Sequence, residues 1–375
     1  MKDKLLQISS AFAIQKIYIN LTKKLSEKGY DQIIYVPVRN SAQLNGNRDD
    51  TIPNCEYVYS HVLKDNILFK LRFRRKLKII YNDLLSKVEI GSVGLVHAHF
   101  LFSDGGVAYL IKKQFGIPYI VSVRATDLFY FFKLMVHERK FGNQIMSSAE
   151  RVIFINPTYV NLFKKKYLSS FFKDFDNKVA VIPNAVDQKW FATNSRFKTI
   201  SEPLKLLYVG QIIKRKKLDV VIKAMKLFNA KSNHKATLDI VGSGPFLKDV
   251  EKLFDENVKY LGRISDFKVL QGIFDSCHIF AMPSIKETFG LVYIEAMSQG
   301  LPILYCKDEA VDGFFANNTV GVAIQASDPE DTLRGIEQII GNYQEMSKQA
   351  RIESVAFTWE KISEKFHTIY EEAIR

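Results

Sequence analysis

Short runs of apolar residues alternate with longer amphipathic stretches along the whole chain. In the first half, the apolar runs have the length expected of buried strands. These runs occupy residues 5–8, 32–38, 95–99, 119–123, 151–155 and 179–182. The stretches between them predict helices, such as one over 14–28 that Gly29 ends as a C-cap residue. This half is therefore predicted to alternate strands and helices.

The same alternation begins again in the second half. Its predicted strands occupy residues 205–210, 236–241, 258–261, 279–282, 302–305 and 321–324. Two such series predict an α/β protein with two doubly wound, Rossmann-like domains, which we assign to residues 1–190 and 204–357 with a joint near 188–203. Ligands of such sheets bind beyond the carboxyl ends of the strands, so a ligand shared by both domains is expected in a cleft between them.

The composition agrees with a globular protein of this size. The 375 residues are 47% hydrophobic and 25% charged, and no apolar run approaches the roughly 18 residues needed to span a bilayer. The N-terminus lacks the long apolar core of a signal peptide. Cys55, Cys277 and Cys306 are widely spaced and form no CxxC pair. We therefore expect reduced thiols and a cytoplasmic location.

The charge is unevenly distributed. Residues 1–200 contain 31 Lys and Arg against 16 Asp and Glu, whereas residues 201–375 contain 22 against 24. In the segments 67–78, 129–135 and 162–167, cations are interleaved with aromatic and aliphatic residues. This pattern favours docking on an anionic membrane surface, with each Lys or Arg contributing about 1 kcal/mol, although a solvated face would also be basic. No nucleic-acid-binding module is present, so nucleic acid is not an expected partner.

The most informative segment spans residues 283–302. Two glutamates, Glu287 and Glu295, flank a short turn that contains Gly290, between a predicted strand at 279–282 and a predicted helix from 292. The free N–H groups and dipole at a helix N-terminus suit an anion such as a diphosphate. The two carboxylates are unsuitable ligands for a phosphate, but beside one they can accept hydrogen bonds from sugar hydroxyls. The alternative is that one glutamate is a solvated loop residue and the other an N-terminal helix charge.

This segment resembles the donor-site signature of the family 4 retaining glycosyltransferases of bacterial polysaccharide biosynthesis. The resemblance lies in Pro283-Ser284 before Glu287, Phe289-Gly290-Leu291 after it, and 295–302, which reads Glu-Ala-Met-Ser-Gln-Gly-Leu-Pro. It implies the two-domain GT-B architecture, with the helix at 358–375 crossing back to the N-terminal domain. It also implies retaining transfer of a hexose from a nucleotide sugar, without a protein nucleophile.

The resemblance implies specific donor contacts. Glu287 would bind the hexose and Glu295 the ribose hydroxyls, while Lys216 would bind the diphosphate. The implied donor-binding set is Gly210, Lys216, Arg263, Glu287, Thr288, Phe289, Gly290, Leu291 and Glu295. Gln211 stands where the family usually has an Arg, so one phosphate contact differs. Arg263 suits stacking on the base or capping a strand.

We expect no metal or other cofactor. The letters Asp174-Phe175-Asp176 form a DxD, but they lie in a polar linker without a preceding apolar strand. Lys216 and the helix dipole are expected to neutralise the leaving diphosphate in place of a metal.

The first half supplies the expected acceptor side. His97 and His99 share one face of a predicted strand, and His99 is expected to lie nearer the ligand. Arg124 stands where the family often has a His, whereas Asp127 is the residue that the family usually has at its position. An Arg is not a base at neutral pH but binds phosphate or carboxylate groups. Ser10 occupies the usual glycine loop and suits a hydrogen bond to the acceptor.

The predicted catalytic residues are Glu287, His99 and Arg124, and the acceptor-side residues are Ser10, His99, Arg124 and Asp127. The expected acceptor is a hydroxyl of a lipid-linked glycan of capsule, exopolysaccharide or lipopolysaccharide, reached from the inner face of the cytoplasmic membrane. Two alternatives stay open. One is a nucleotide-sugar epimerase of similar architecture, and the other is an inactive nucleotide-sugar-binding scaffold.

Overall fold

The computed structural model describes residues 4–62, 73–169, 172–192 and 198–374. The chain forms two compact units. The first comprises Met1–Ile155, Tyr159–Pro183 and Trp359–Arg375, and the second comprises Asn156–Thr158 and Asn184–Thr358. The sequence-based assignment placed the joint a few residues later, at 188–203.

The first unit is built on a seven-stranded parallel sheet with the order β3-β2-β1-β4-β5-β6-β7. Its strands are β1 (Lys4–Ile8), β2 (Gln32–Pro37), β3 (Cys55–Ser60), β4 (Val93–Ala98), β5 (Tyr119–Val123), β6 (Arg151–Phe154) and β7 (Val179–Val181). The chain winds outward from β1 in one direction and returns to pair β4 with its other side. The topological switch point, where such sheets bind ligands, therefore lies between β1 and β4.

Helices connect these strands. They are α1 (Lys16–Glu27), α2 (Phe73–Lys87), α3 (Ser103–Phe115), α4 (Arg139–Ser148), α5 (Pro157–Lys166) and α6 (Phe175–Lys178). Gly29 follows α1 with φ of +87°, and its N–H donates to Ser26, which confirms the predicted helix end. The basic segment predicted at 67–78 reaches the described part of the chain only from Phe73, where α2 begins; its residues 67–72 lie outside the described residues.

The second unit has a six-stranded parallel sheet with the order β10-β9-β8-β11-β12-β13. Its strands are β8 (Leu204–Val209), β9 (Ala236–Val241), β10 (Val258–Tyr260), β11 (Ile279–Ala281), β12 (Ile303–Cys306) and β13 (Gly321–Ile324). Its helices are α7 (Leu218–Lys231), α8 (Leu247–Val250), α9 (Phe267–Ser276), α10 (Leu291–Ser298), α11 (Pro329–Gly341) and α12 (Tyr343–Ser354). The switch point here lies between β8 and β11.

The terminal helix α13 (Trp359–Ile374) belongs to the first unit. The Tyr370 hydroxyl lies 2.7 Å from Nδ1 of His97 on β4, and Arg151 pairs with Glu372 at 2.9 Å. This return of the chain confirms the fold expected from the resemblance. Both sheets are parallel and flanked by helices, so the predicted α/β class with two Rossmann-like units is confirmed. None of the helices in the described ranges combines the length and apolar composition needed to cross a bilayer.

The sequence pattern missed one strand, β3. Its side chains are mostly half-buried and Glu56 is exposed, because β3 is an edge strand with a neighbour on one side only. An edge strand of this kind lacks the continuous apolar run that marks the strands buried on both faces.

Candidate functional site

The donor motif forms the loop that joins β11 to α10. Lys286 and Gly290 both have positive φ, at +53° and +73°. A Cβ atom on Gly290 would lie 2.6 Å from the Tyr293 ring, so both the backbone and the available space require glycine here. Phe289 is buried and anchors the loop in the core. The sequence thus fixes a tight turn at the carboxyl edge of the sheet.

Glu287 is held within a cluster of polar groups. Its Oε2 accepts a hydrogen bond from the Lys216 ammonium, a second at 3.2 Å from Ser284 Oγ, and lies 3.5 Å from the Arg215 guanidinium. The Glu287 and Lys216 side chains are each 11% exposed. Two residues predicted from separate motifs therefore form one buried ion pair at the switch point. An ammonium has three N–H donors, so Lys216 can keep this bond and still bind a phosphate oxygen.

The turn after Glu287 presents backbone N–H groups. Those of Phe289 and Gly290 make no hydrogen bond to a backbone carbonyl of the described residues. Leu291 is the first residue of α10, where amide groups have no partner within the helix. The Thr288 carbonyl accepts a hydrogen bond from Asn156 at 2.5 Å. This arrangement offers donors to an anion beside the Lys216–Glu287 pair.

Close backbone approaches shape the neighbouring loops. Gly210 follows β8, and a Cβ atom on Gly242 would lie 1.9 Å from the Gly210 carbonyl oxygen. A Cβ atom on Gly244 would lie 2.3 Å from the carbonyl oxygen of Ile212. The turn that contains Gly242 and Gly244 therefore packs directly against the loop that follows Gly210.

Gln211, which departs from the family pattern, and the predicted base-stacking residue Arg263 lie at the edge of this region. Gln211 is exposed, and its carbonyl accepts a hydrogen bond at 3.0 Å from the buried Tyr208 hydroxyl. Arg263 is exposed beyond β10, and the preceding Gly262 carbonyl accepts from Gly242 N–H at 2.8 Å. Arg263 therefore stands at the same sheet edge as the pair but is not in contact with it.

Glu295 lies on α10 and is half-buried. Burial raises the pKa of its carboxyl to about 7, while Lys189 lowers it, Asp187 raises it, and Trp190 lowers it. These neighbours come from residues 187–190, where the predicted first domain meets the predicted joint at 188–203. The structure therefore joins Glu295 to a segment distant in sequence, and does not place it against Glu287.

Sequence reasoning missed Glu309, in the loop that follows β12. Its Oε2 accepts a hydrogen bond at 3.1 Å from the backbone N–H of Glu287, and Ala310 N–H donates to the Glu287 carbonyl at 3.2 Å. Burial raises the pKa of the Glu309 carboxyl, while the backbone N–H groups of Lys286 and Glu287 lower it. Glu309 thus holds the donor loop in position. Its only signal in the sequence is a carboxylate soon after a predicted strand.

The two histidines of the first unit differ in their hydrogen bonds. His97 uses both ring nitrogens, with Nδ1 2.7 Å from the Tyr370 hydroxyl and Nε2 3.1 Å from Ser122 Oγ. His99 Nε2 lies 2.8 Å from Gln7 Oε1, whereas its Nδ1 has no hydrogen-bond partner among the described residues. Both rings are fully buried, and burial lowers the pKa of both, to about 3 for His97. Both are therefore neutral at physiological pH.

Asp127 organises the loops around Arg124. Its carboxylate accepts backbone N–H groups of Arg124 at 2.9 Å and of Leu101 and Phe102 at 3.2 Å. Burial raises its pKa to about 6, against these hydrogen bonds. Arg124 is half-buried, and its Nε lies 3.4 Å from the His99 carbonyl oxygen. The structure therefore brings the three predicted residues Arg124, Asp127 and His99 together.

Ser10 lies beside a buried carboxyl that the sequence analysis gave no role. Its N–H donates to Asp104 Oδ2 at 3.2 Å, and its Oγ lies 3.4 Å from Ser103 Oγ. Burial raises the pKa of Asp104 to about 7. The adjacent Ser9 Oγ is buried and has no hydrogen-bond partner among the described residues. The carboxyl ends of β1 and β4, which are adjacent at the switch point, therefore each carry a buried polar atom without a partner among the described residues, Ser9 Oγ and His99 Nδ1.

The Asp174-Phe175-Asp176 letters lie at the start of α6. Asp174 precedes α6 and Asp176 pairs with Lys164. Within the residues that the structure describes, no group of three or more His, Cys, Asp or Glu side chains is arranged to hold a metal ion.

Comparisons with known proteins cover both units. The family model described as Glycosyltransferase Family 4 matches residues 14–190, and the model described as Glycosyl transferases group 1 matches residues 191–354. An uncharacterized glycosyltransferase of Methanocaldococcus jannaschii is 23% identical over 84% of this chain and 87% of its own length. The alpha-monoglucosyldiacylglycerol synthase of Acholeplasma laidlawii is 24% identical over 81% and 79%. An uncharacterized 41.2 kDa protein in the cps region of Klebsiella pneumoniae is 24% identical over 74% and 73%.

Solved structures share the fold over nearly the whole chain. Sucrose-phosphate synthase from Thermosynechococcus elongatus has a TM-score of 0.76 at 18% identity, covering 99% of this chain and 98% of that one. Anabaena HepE in complex with UDP has a TM-score of 0.71 at 15% identity, covering 98% and 99%. At these low identities the structural similarity shows the fold alone, and the two family models show the family. The chain belongs to family 4 of the glycosyltransferases and has their two-domain GT-B fold.

Proposed function

We propose that this glycosyltransferase transfers a hexose from a nucleotide sugar to an acceptor hydroxyl with retention of configuration. The observation that carries the proposal is the buried pair of Lys216 and Glu287 at the switch point of the second sheet. In this proposal, Lys216 is the cation that binds the diphosphate, and the adjacent Glu287 is the carboxylate that binds sugar hydroxyls. Anabaena HepE, whose structure was solved with UDP, supports a nucleotide donor.

Each group in the donor region has a role in this proposal. Lys216 and the N–H groups of 289–291 hold the diphosphate, because a cation and free amides both suit phosphate oxygens. Glu287 accepts hydrogen bonds from hexose hydroxyls, and Glu295 accepts them from the ribose. Gly210 lets the loop after β8 approach the donor, and Arg263 stacks on the base.

The reaction needs stabilisation of charge on the leaving diphosphate. Lys216, Arg215 and the N-terminus of α10 supply positive charge at this position. The leaving phosphate oxygen takes the proton of the attacking acceptor hydroxyl on the same face, so no protein nucleophile is assigned. We propose that the transfer proceeds without a metal or other cofactor. Unchanged turnover in the presence of EDTA is the expected result.

The proposed acceptor is a lipid-linked glycan of capsule, exopolysaccharide or lipopolysaccharide, reached by peripheral binding to the inner face of the cytoplasmic membrane. The segment after β5 supports membrane contact, because Tyr130, Leu134 and Val136 are 49%, 64% and 56% exposed beside the cation of Lys133. Among the relatives, the Acholeplasma protein is named a monoglucosyldiacylglycerol synthase, and the Klebsiella protein is named for the cps region.

A donor screen tests the proposal. Purified protein is titrated with UDP-, GDP- and ADP-sugars, and thermal stabilisation, nucleotide release and sugar isomerisation are measured. We expect one donor class to stabilise the protein by mass action and to release its nucleotide when acceptor is present. Isomerisation without release would instead identify an epimerase, and binding without turnover would identify a scaffold.

The Glu287→Gln variant keeps the shape of the side chain and removes its charge. We expect transfer to fall by about 10²-fold or more, since Glu287 orients both the hexose and Lys216. Glu256→Gln, at an exposed position of the same unit, is the matched control. Undiminished turnover in Glu287→Gln contradicts the assigned role.

A further inference from the structure

The carboxyl edge of the first sheet carries three cations from different elements. Arg39 follows β2, Arg124 follows β5, and Lys76 lies on α2. Among the described residues, neither Arg39 nor Lys76 makes a side-chain ion pair or hydrogen bond. Lys76 is only partly exposed, and burial and Arg39 both lower its pKa while Asp104 raises it. A half-buried ammonium without a counter-ion is costly, because it has lost water and gained no partner.

The buried carboxyls nearby already accept hydrogen bonds from backbone N–H groups and a serine hydroxyl. Asp104 accepts hydrogen bonds from Ser10 N–H and Ser103 Oγ, and Asp127 accepts three backbone N–H groups. Burial raises the pKa of Asp104 to about 7 and that of Asp127 to about 6. At neutral pH they therefore offset only part of the positive charge of this edge.

Tyr18 on α1 connects the two sides of this group. The Arg124 guanidinium lies 5.9 Å from the Tyr18 ring centroid, and the charges of both Arg124 and Asp104 act on the Tyr18 pKa. The Tyr18 ring also packs 4.9 Å from the His99 ring. Arg124, Asp104, Tyr18 and His99 thus lie in one region around the switch point. Lys76 is linked to this region through Asp104, whose charge acts on the Lys76 pKa.

Hydrogen-bond directions assign the unpaired nitrogen of His99. Gln7 Nε2 donates to Gln32 Oε1 at 2.6 Å, and Gln32 Nε2 donates to the Thr22 carbonyl at 3.0 Å. Gln7 Oε1 therefore accepts from His99 Nε2–H, which leaves a lone pair on Nδ1. His99 N–H donates to the carbonyl of Ile8, and the buried Oγ of the next residue, Ser9, also lacks a partner among the described residues. Each atom therefore has hydrogen-bonding capacity that the described residues do not use.

We propose that the acceptor of this enzyme carries a phosphate or carboxylate group, which Lys76, Arg124 and Arg39 bind at the carboxyl edge of the first sheet, where Ser9 Oγ and His99 Nδ1 are buried without hydrogen-bond partners among the described residues. The proposal rests on the proposed transferase function, because it names the class of acceptor. The planar fork of Arg124 binds either anion with two parallel hydrogen bonds, and Lys76 adds a point charge. A phosphorylated sugar and a uronic acid would satisfy the same chemistry.

Matched sugars test this on the full chain. Glucose, glucose 6-phosphate and glucuronate are titrated by calorimetry into the protein at low and high salt. We expect at least one anionic sugar to bind about 10-fold or more tightly than glucose, with a dependence on salt, since hydrogen bonds to charged groups contribute about 1.5–3 kcal/mol. Tighter binding of the phosphate indicates a phosphorylated acceptor, and tighter binding of glucuronate indicates a uronic acid.

Variants localise the binding. Lys76→Ala and Arg124→Gln are each expected to weaken the anionic sugar about 10-fold and to leave the affinity for glucose unchanged. Arg124→Lys keeps the positive charge but loses the planar guanidinium that makes two parallel hydrogen bonds. We therefore expect it to weaken the anionic sugar less than Arg124→Gln does. Lys113→Ala, at an exposed position on α3, is the control and should have no effect. Thermal unfolding of each variant confirms that it is folded.

The result has separate consequences for the two proposals. Equal affinities for the three sugars, absence of binding by both anionic sugars, or equal losses in Lys113→Ala and Lys76→Ala would overturn the anionic acceptor. Nucleotide binding to the same preparation is measured in parallel. If UDP, GDP and ADP all fail to bind, the proposed function fails. If a nucleotide binds and the anionic sugars do not, only this inference fails.

Discussion

The switch points of the two sheets differ in how their buried charges are balanced. In the second unit, Glu287 is buried against Lys216, with Arg215 close by. In the first unit, Asp104 and Asp127 are held by backbone and hydroxyl donors, while Lys76 has no ionic partner among the described residues. An internal ion pair preorganises the donor region before any ligand binds. An unpaired cation depends on a ligand for its counter-charge, and this difference leads us to expect the anion on the acceptor.

The largest expected effect comes from breaking the ion pair. Lys216→Ala leaves the Glu287 carboxylate buried with Arg215 as its one nearby cation among the described residues, and it removes a cation from the proposed diphosphate site. We expect transfer to fall by about 10²–10³-fold, the range for losing a preorganised charge. The free energy of unfolding should fall by about 2 kcal/mol or more, because one buried partner is lost. Steady-state kinetics and chemical denaturation measure the two effects.

A double variant separates the structural effect from the chemical one. Lys216→Met with Glu287→Leu replaces the pair by apolar side chains, and such replacements are often neutral for stability. We expect stability to return while activity stays lost. Lys214→Ala, exposed in the same turn, is the control. Activity in the double variant, or a loss in Lys214→Ala equal to that in Lys216→Ala, would contradict a specific role for the pair.

A second prediction concerns the turn of the donor loop. Gly290→Ala introduces a Cβ atom 2.6 Å from the Tyr293 ring at φ of +73°, whereas Gly29→Ala meets nothing within 4 Å at φ of +87°. We expect Gly29→Ala to lower the free energy of unfolding by about 1 kcal/mol through backbone conformation alone. Gly290→Ala should cost more, because the turn must also shift. It should also weaken nucleotide binding, which Gly29→Ala should not change. Thermal unfolding and calorimetric titration with UDP, GDP and ADP check both statements.

The two regions also differ in how well the sequence predicted them. The donor loop is a contiguous segment between a buried strand and a helix, so local pattern and resemblance were sufficient to identify Glu287, Gly290 and the start of α10. Lys216 lies far from Glu287 in sequence, but its own strand-to-turn context identified it. The parallel order of the strands then brought both residues to one edge of the sheet.

Contacts that depend on packing alone could not be predicted. Glu309 touches the Glu287 backbone from another loop, and the neighbours of Glu295 come from residues 187–190. Asp104 follows Ser103 without any motif, and its proximity to Ser10 exists only because β1 and β4 are adjacent. The edge strand β3 was not predicted, because a half-buried strand has no continuous apolar run.

A third prediction tests whether the first unit can be weakened without affecting the donor region. Tyr370→Phe removes the hydroxyl that lies 2.7 Å from His97 Nδ1, so a fully buried ring nitrogen loses its partner. We expect the free energy of unfolding to fall by about 1–3 kcal/mol. Nucleotide affinity should stay unchanged, since both residues belong to the first unit.

Tyr30→Phe is the matched comparison for that variant. The Tyr30 hydroxyl lies 2.7 Å from His367 Nδ1, but this contact is only partly buried. Water can replace the lost hydroxyl there, so the expected cost is about 0.5–1 kcal/mol. Equal costs for the two tyrosines, measured by denaturant unfolding, would show that burial does not control the effect.

The smallest expected effect is a pH dependence of nucleotide binding. Burial raises the pKa of Glu295 to about 7, so its carboxyl is partly protonated at neutral pH. The charged form accepts ribose hydrogen bonds better, so affinity for the nucleotide should rise as pH increases through 7. The change is at most about tenfold for each pH unit, because one proton is involved.

Protein stability should depend on pH in the opposite sense: it should fall as pH rises and Glu295 loses this proton. The folded state holds this proton more tightly than the unfolded state does, so the contribution of Glu295 is present at low pH and is lost as pH rises through about 7. Glu295→Gln should remove both dependences and leave those of Asp104 and Asp127, which lie in the first unit. Nucleotide titrations and unfolding curves on either side of neutral pH measure the two slopes. If the affinity slope is unchanged in Glu295→Gln, the titrating group lies elsewhere and Glu295 does not bind the ribose as proposed.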